Sequence, residues 1–274
     1  MEELVTKAKK VQSLFNLSGK VAVVTGGGKG LGEAMALALA GAGADVAIVG
    51  KTQANNERVV EEIINMGRKS IAVQVEVREE EQVIKMVDKV AKHFGRLDIL
   101  VNSAGYAEVR PITEFPIDLW EYIMDVNVKG TFLCSREAAK VMLNQGHGKI
   151  INISSLQGFA GRAGDAAYAA SKSAVNLMTM SMACEWASRG ICVNAISPTW
   201  CWTDLTSPYL SVKPFYKELT QRIPIGRAGK REDMFGITVF LASGASDFIN
   251  GAVIPVDGGA IASDGFPVVP SPEK

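Results

Sequence analysis

The stretch Lys20-Val-Ala-Val-Val-Thr-Gly-Gly-Gly-Lys-Gly-Leu-Gly32 joins an apolar run directly to a cluster of glycines. The apolar run is short and bounded, which indicates a buried strand. The alanine-rich residues 32–42 that follow predict a helix. Glycine lets the backbone approach a phosphate closely, and a helix N-terminus presents free N–H groups. The stretch therefore predicts a strand–turn–helix unit that holds the pyrophosphate of a dinucleotide; a tight turn without a ligand is the alternative.

Apolar strands and helices alternate along the rest of the chain. Further strands are predicted at residues 45–49, 70–75, 97–102, 150–154, 192–196 and 252–256, and helices at 32–42, 55–66, 80–94, 119–144 and 168–188. Continuous apolar strands separated by helices indicate a parallel sheet covered on both faces. We therefore expect one α/β domain over residues 19–262, built on a doubly wound parallel sheet of the Rossmann type with helices on both faces.

Three segments lie outside this alternation. Residues 1–18 carry apolar side chains at helical spacing and predict a lead-in helix, which could fold back on its own domain or contact a partner. Residues 198–230 are rich in proline and aromatic side chains, and they predict a substrate loop or lid. Residues 263–274 form a proline-rich tail that is either disordered or packed across a subunit.

Composition excludes several classes of function. The 274 residues include 29 basic and 29 acidic side chains, so no charge excess indicates a nucleic-acid or anionic-membrane partner. No apolar run reaches the ~18 residues that a membrane span needs, and no apolar segment typical of a signal peptide follows the N-terminal lysines. Four cysteines without a CxxC pair, together with only two histidines, predict free thiols in a reducing cytoplasm and no metal site.

A tyrosine and a lysine follow the predicted strand at 150–154. Tyr168 and Lys172 are four residues apart, so they share one helix face, and Ser155 precedes the tyrosine by thirteen residues. A nearby cation favours a phenolate and should lower the tyrosine pKa from about 10 toward working pH. Such a phenol can exchange a proton with an alkoxide during hydride transfer, while Ser155 hydrogen-bonds the substrate oxygen. Together with the glycine turn, these residues predict hydride transfer between a nicotinamide cofactor and a ketone or secondary alcohol.

The end of the second predicted strand bears on the choice of cofactor. A site that prefers NAD commonly places an acid there, against the adenosine ribose. This chain has Gly50, Lys51 and Thr52 instead. Lys51 could bind a 2′-phosphate, with Lys29 of the glycine turn on its other side. We therefore expect NADP(H) to be preferred over NAD(H); two solvated surface lysines are the alternative.

These motifs resemble those of the short-chain dehydrogenase/reductase family over about residues 18–260. Residues 25–32 are similar to that family's TGxxxGxG turn, and residues 102–105 are similar to its NNAG motif, with Ser103 in place of the second asparagine. Asn127 matches the asparagine that holds a proton-relay water near the lysine. The resemblance implies a catalytic set of Asn127, Ser155, Tyr168 and Lys172. The overall pattern looks most like sugar-acid dehydrogenases of the gluconate type and 3-oxoacyl reductases.

The residue patterns and the resemblance together assign the cofactor contacts. They comprise Gly26, Gly28, Lys29, Gly30, Leu31, Gly32, Lys51, Thr52, Glu76, Val77, Asn102, Ala104, Gly105, Tyr168, Lys172, Pro198 and Thr203. Glu76 stands where the family has an aspartate against the adenine, and Thr199 replaces the glycine of its PGxxxT segment. Residues 256–259 resemble the C-terminal motif of tetrameric members, which implies a homotetramer.

The substrate is the least determined part of the site. Gln157 and Arg162 could bind the carboxylate or hydroxyls of a sugar acid or polyol. Trp200, Trp202 and Tyr209 instead predict an aromatic lid suited to a bulky alicyclic or aromatic ketone, and a 3-oxoacyl thioester is a third possibility. A hypothesis from another class is a catalytically silent NADP-binding scaffold or redox sensor. Such a protein would keep the glycine turn but would have no reason to keep all four catalytic residues, so we favour an enzyme.

Overall fold

Seven apolar segments pair into one parallel sheet in the computed structural model, which describes residues 2–263. The strands are β1 (Val21–Thr25), β2 (Asp45–Gly50), β3 (Ser70–Gln74), β4 (Ile99–Asn102), β5 (Gly148–Ile153), β6 (Ile191–Pro198) and β7 (Val253–Val256). Their order is β3-β2-β1-β4-β5-β6-β7. The order reverses between β1 and β4, and a crevice for ligands forms beyond the carboxyl ends of strands at such a point. The predicted doubly wound sheet is confirmed.

Helices cover both faces of this sheet. They are α1 (Glu2–Ala8), α2 (Gly30–Gly41), α3 (Gln53–Asn65), α4 (Glu80–Phe94), α5 (Ile117–Met124), α6 (Gly130–Gln145), α7 (Ala166–Trp186), α8 (Ser207–Leu210), α9 (Lys213–Gln221) and α10 (Phe235–Ala242). Alternate residues of β1 face opposite sides, as expected for a strand. Ala22 and Val24 pack against α2, α3 and α10, whereas Val21 and Val23 face α4, α6 and α7.

The predicted helix at residues 119–144 is interrupted in the structure. A π-helical turn, Asp125–Lys129, lies between α5 and α6. Such turns often occur at functional sites because they displace one side chain from the regular helical face. The displaced residue here is Asn127, which is fully buried. The predicted loop at residues 198–230 also differs from the expectation, since it contains the short helices α8 and α9.

The lead-in segment, residues 2–18, packs only loosely on the rest of the domain. Its apolar side chains are exposed: Leu4 at 73%, Val5 at 51%, Val11 at 53%, Leu14 at 46% and Phe15 at 40%. Leu17 is the first apolar side chain of the segment to be buried, and the ring of Phe15 lies 6.4 Å from that of Phe240. The predicted tail, except residue 263, lies outside the described residues.

Candidate active site

One cavity of about 480 Å³ opens beyond the carboxyl ends of the central strands. The glycine turn after β1 forms one end of it, and Ser155, Tyr168 and Lys172 form the other. Most of the predicted cofactor contacts line it: Gly26, Gly28, Lys29, Gly30, Leu31, Gly32, Lys51, Thr52, Glu76, Val77, Ala104, Gly105, Tyr168, Lys172, Pro198 and Thr203. The two patterns that the sequence suggested therefore meet in a single site.

The glycine turn has the shape that a pyrophosphate requires. Gly26 has φ +65°, and a Cβ there would lie 2.9 Å from the Ala104 backbone. A Cβ on Gly32 would overlap the carbonyl oxygen of Gly26. Thr25 Oγ1 holds the turn to the loop after β4 by accepting hydrogen bonds from the backbone N–H groups of Ser103 and Ala104, at 3.1 and 3.2 Å. The turn and the N-terminus of α2 thus fit a dinucleotide cofactor.

Ser155, Tyr168 and Lys172 come from two neighbouring elements. Ser155 follows the end of β5, and the other two residues lie on the first turns of α7. Lys172 Nζ lies 5.5 Å from the Tyr168 ring centroid and donates a 2.8 Å hydrogen bond to the Ile153 carbonyl. The Ser155 hydroxyl donates to Gln157 Oε1 at 3.0 Å, which places this predicted substrate residue beside Ser155.

The acidity of Tyr168 differs from the expectation. Burial raises the pKa of Tyr168 to about 12; the hydrogen bond with Ser155 and the charge of Arg162 oppose this rise, and the charge of Asp165 adds to it. Burial also lowers the pKa of Lys172 to about 8. The predicted lowering of the tyrosine pKa is therefore wrong for this structure, because burial of the phenol dominates and the Lys172 ammonium hydrogen-bonds the Ile153 carbonyl. The phenol is protonated at neutral pH, which is the form that donates a proton.

Asn127 joins the loop after β4 to the catalytic helix. Its Oδ1 accepts from the Tyr106 N–H at 2.8 Å, and its Nδ2 donates to the Tyr106 carbonyl and to Ser171 Oγ, both at 2.9 Å. A Cβ on Gly105 would lie 3.5 Å from Asn127 Oδ1 and 3.7 Å from Lys172 Nζ, so both residues approach the same point. The role of Asn127 in holding a relay water stays a prediction.

Asn102 lies behind the cavity wall, unlike the other predicted cofactor contacts. Its Nδ2 donates to Ser135 Oγ and to Asn152 Oδ1, both at 2.8 Å, and Asn152 in turn donates to Thr179 at 2.9 Å. The side chain is 3% exposed. The structure therefore places Asn102 in a buried polar network that supports the central strands, instead of at the cofactor.

Lys51 is already engaged at the adenosine end. Its Nζ lies 2.8 Å from Glu76 Oε2 and donates to the Tyr122 hydroxyl at 3.1 Å. The hydrogen bond with Glu76 raises the pKa of Lys51. Sequence reasoning missed Tyr122, which lines the cavity from α5; its position in an ordinary amphipathic helix gives no signal. Lys29 lines the same cavity and is exposed.

Aromatic side chains of the predicted lid form a packed cluster. The Trp200 ring lies 5.2 Å from Phe215 and 6.0 Å from Tyr209, with edge-to-face geometry. The Arg162 guanidinium lies 4.9 Å from the same Trp200 ring, and its Nη2 is 2.6 Å from Asp165 Oδ2. Arg162 thus contacts the lid from the loop before α7, with part of its charge already balanced by a carboxylate.

The structure adds lid residues to the cavity wall that were not predicted. Asp204, Leu205 and Thr206 line it, whereas Trp202 packs against Tyr216 at 5.8 Å, away from the wall. Thr203 lies about 3.7 Å from where a Cβ on Gly30 would be, so the lid begins beside the glycine turn. The aromatic side chains therefore pack on one another within the lid, and Asp204, Leu205 and Thr206 face the cavity.

Two further observations concern residues 2–263. This part of the chain has no group of three or more His, Cys, Asp or Glu side chains placed to hold a metal ion. Within the same range, the helices are too short or too polar to span a bilayer.

The chain is similar to known proteins over most of its length. A family model described as enoyl-(acyl carrier protein) reductase matches residues 26–260. A 2-dehydro-3-deoxy-D-gluconate 5-dehydrogenase of Dickeya dadantii is 41% identical over 253 residues, which cover 92% of this chain and 99% of that protein. A gluconate 5-dehydrogenase of Gluconobacter oxydans is 36% identical over 250 residues, which cover 91% and 98%.

A solved structure gives the same result in three dimensions. The crystal structure of a gluconate 5-dehydrogenase from Burkholderia cenocepacia, in complex with NADP and tartrate, matches with a TM-score of 0.88. It is 36% identical, and the match covers 91% of this chain and 98% of that one. The similarity therefore extends over about nine-tenths of this chain.

Proposed function

Because the chain belongs to the short-chain dehydrogenase/reductase family of oxidoreductases, we propose that it transfers a hydride between NADP(H) and a sugar acid, with Tyr168 as the general acid and base. One observation carries this proposal: a single cavity joins the glycine turn to Ser155, Tyr168 and Lys172. The relatives support the substrate class, since two are named for gluconate derivatives and a third was crystallised with a hydroxy acid, tartrate.

In this proposal, Ser155, Tyr168 and Lys172 each have a separate role. When bound, the nicotinamide supplies or accepts the hydride. In the direction of reduction, the Tyr168 phenol donates its proton to the oxygen of the carbonyl as that carbon is reduced; in oxidation, the phenolate takes the proton back. The Ser155 hydroxyl hydrogen-bonds the same oxygen and fixes it. Lys172, buried 5.5 Å from the ring, provides positive charge that stabilises the phenolate.

A panel of substrates tests the proposal. All compounds are assayed as ketones reduced with NADPH. 5-keto-gluconate represents the sugar acids; a bulky alicyclic ketone and a 3-oxoacyl thioester represent the alternatives. We expect kcat/KM with a sugar acid to exceed that with either alternative by at least about tenfold, which is ~1.4 kcal/mol of differential transition-state binding. A higher value with the alicyclic ketone would instead assign the aromatic lid to substrate recognition.

Lys51 should contribute to the preference for NADP(H). Lys51→Met keeps an apolar stem over Tyr122 and removes the charge that a 2′-phosphate would meet. We expect the ratio of kcat/KM for NADPH to that for NADH to fall by about tenfold, because a charge-assisted hydrogen bond is lost with one cofactor alone. Steady-state kinetics with both cofactors measure this ratio. An unchanged ratio would show that Lys51 does not contact a 2′-phosphate.

Gly50→Asp, the obvious variant for reversing the preference, is unsuitable here. A Cβ at Gly50 would lie 2.9 Å from Asn56 Oδ1. Asn56 cannot move freely, because its Nδ2 donates to the Gly50 and Val73 carbonyls at 3.0 and 3.3 Å and its side chain is buried. Any change of cofactor preference in that variant would be mixed with a local distortion.

A homotetramer is part of the proposal. β7 is the edge strand of the sheet, Phe248 in the segment before it is 104% exposed, and Phe235 at the start of α10 is 38% exposed. Such patches are commonly buried by closed two-fold contacts. Sedimentation at micromolar concentration should give a particle of four times the 29.2 kDa chain mass. A stable monomer under these conditions would contradict this assembly.

We also propose that the protein works in the cytoplasm. The four cysteines are free thiols, and Cys134 and Cys201 are buried. Reduced thiols are typical of a cytoplasmic protein.

A further inference from the structure

The side chain of Glu76 binds the lysine that the proposed cofactor needs. Glu76 follows β3 and lines the cavity. Its Oε2 lies 2.8 Å from Lys51 Nζ and 3.6 Å from Arg78 Nε. Its side chain is 16% exposed, whereas that of Lys51 is 58% exposed. The carboxylate therefore lies in the wall, and the ammonium is the more exposed member of the pair.

We propose that Glu76 is a specificity-determining residue that weakens the preference for NADP(H) by holding Lys51. This inference rests on the proposed binding of NADP(H) at this end of the cavity. A 2′-phosphate and the Glu76 carboxylate are two anions that compete for one ammonium group. With the carboxylate in place, the phosphate gains less from Lys51. NADH has a ribose hydroxyl instead of this phosphate, so Glu76 opposes its binding less.

Tyr122 also contacts Lys51, so that the ammonium keeps a partner when the Glu76 charge is removed. The Tyr122 hydroxyl accepts a hydrogen bond from Lys51 Nζ at 3.1 Å, and the ammonium lies 5.5 Å from the Tyr122 ring centroid. The guanidinium of Arg78 lies 4.9 Å from the same ring. Neutralising Glu76 thus leaves Lys51 held against Tyr122, with its charge available to a phosphate.

The expected effect is modest because the pair is partly solvated. Exposed ion pairs of this kind typically change an equilibrium by no more than about fivefold. We therefore expect Glu76→Gln to raise the ratio of the NADH dissociation constant to the NADPH dissociation constant by about three- to fivefold. Any contact of Glu76 with the adenine is common to both cofactors and cancels in this ratio.

The experiment measures both dissociation constants by nucleotide fluorescence, without substrate, so that it does not depend on turnover. The variants are Glu76→Gln, Glu76→Asp, Lys51→Met and the double variant Glu76→Gln/Lys51→Met. Glu79→Gln is the matched control, because it removes the same charge from a residue three positions further along the chain. The Glu79 side chain is 55% exposed, and its carboxylate lies 3.8 Å from Arg78 Nε. Glu76→Asp keeps the charge but shortens its reach to Lys51 by one methylene.

Three results together would support the inference: a raised ratio in Glu76→Gln, a smaller rise in Glu76→Asp, and no change in Glu79→Gln. The double variant should give the same ratio as Lys51→Met alone, since Glu76 acts through the lysine. An unchanged or lowered ratio in Glu76→Gln would overturn the inference, as would a rise that persists without Lys51. Failure of the proposed cofactor is distinguishable, because Lys51→Met would then leave the ratio of the wild type unaltered.

Discussion

Tyr168→Phe should lower kcat by about a thousandfold, or ~4 kcal/mol of transition-state stabilisation, while leaving the dissociation constant for NADPH within about twofold. The substitution removes one hydroxyl and keeps the ring that packs beside Lys172. The lost group is the proton donor, so chemistry fails and binding persists. Steady-state kinetics and fluorescence titration measure the two quantities separately.

Tyr209→Phe is the matched control for this substitution. It removes a phenol from the lid, where the side chain is 50% exposed and packs on Trp200, and it should keep kcat within about threefold.

The pH dependence of the wild-type oxidation rate provides a second test of Tyr168. Since the pKa of Tyr168 is raised to about 12, the fraction of phenolate, and with it the rate of oxidation, should climb as pH rises above neutrality. If Tyr168→Phe kept more than about a tenth of kcat, Tyr168 would not be the acid.

Lys172→Met should lower kcat by about a hundredfold or more and weaken binding of the cofactor. The variant keeps the length of the side chain and removes the ammonium that lies 5.5 Å from the Tyr168 ring. The phenolate formed during reduction then has no buried cation beside it, so its formation costs more. Kinetics over a range of pH, combined with fluorescence titration of NADPH, measure both effects.

The pH dependence of the reduction rate tests the role of Lys172 separately. Burial lowers the pKa of Lys172 to about 8, so the wild type should lose the favourable charge as pH rises through that value. A titration near pH 8 should therefore appear in the reduction rate of the wild type and vanish in Lys172→Met. Lys140→Met, at an exposed lysine that binds Glu137, is the control and should match the wild type. A Lys172→Met enzyme with near-normal kcat and the same titration would remove Lys172 from the mechanism.

The sequence predicted those features that depend on the local pattern of residues. β1 and β4 are continuous apolar runs because both faces of a parallel strand are buried, so the pattern indicates the sheet directly. The glycine turn was predictable because close backbone approach excludes a Cβ, as Gly26 shows. Ser155, Tyr168 and Lys172 were predictable because their spacing fits one strand end and one helix face.

Features that depend on long-range packing were not predictable. The partners of Lys51 are Glu76 and Tyr122, which are distant in sequence and meet only when β2, β3 and α5 are assembled. The pKa of Tyr168 depends on how completely the fold excludes water, which spacing does not report. Asn102 fits a motif associated with the cofactor, yet its hydrogen bonds to Ser135 and Asn152 lie in the core.

The most direct test of the proposed reaction follows the hydride itself. The wild-type enzyme is incubated with NADPH that carries deuterium at both C4 positions of the nicotinamide and with 5-keto-gluconate, and the product is examined by mass spectrometry. We expect one deuterium on the new carbinol carbon of the sugar acid, and no such product with Tyr168→Phe. NADPH that binds normally but delivers no deuterium to this or to any other ketone in the panel would contradict the proposed hydride transfer and indicate a silent NADP-binding scaffold.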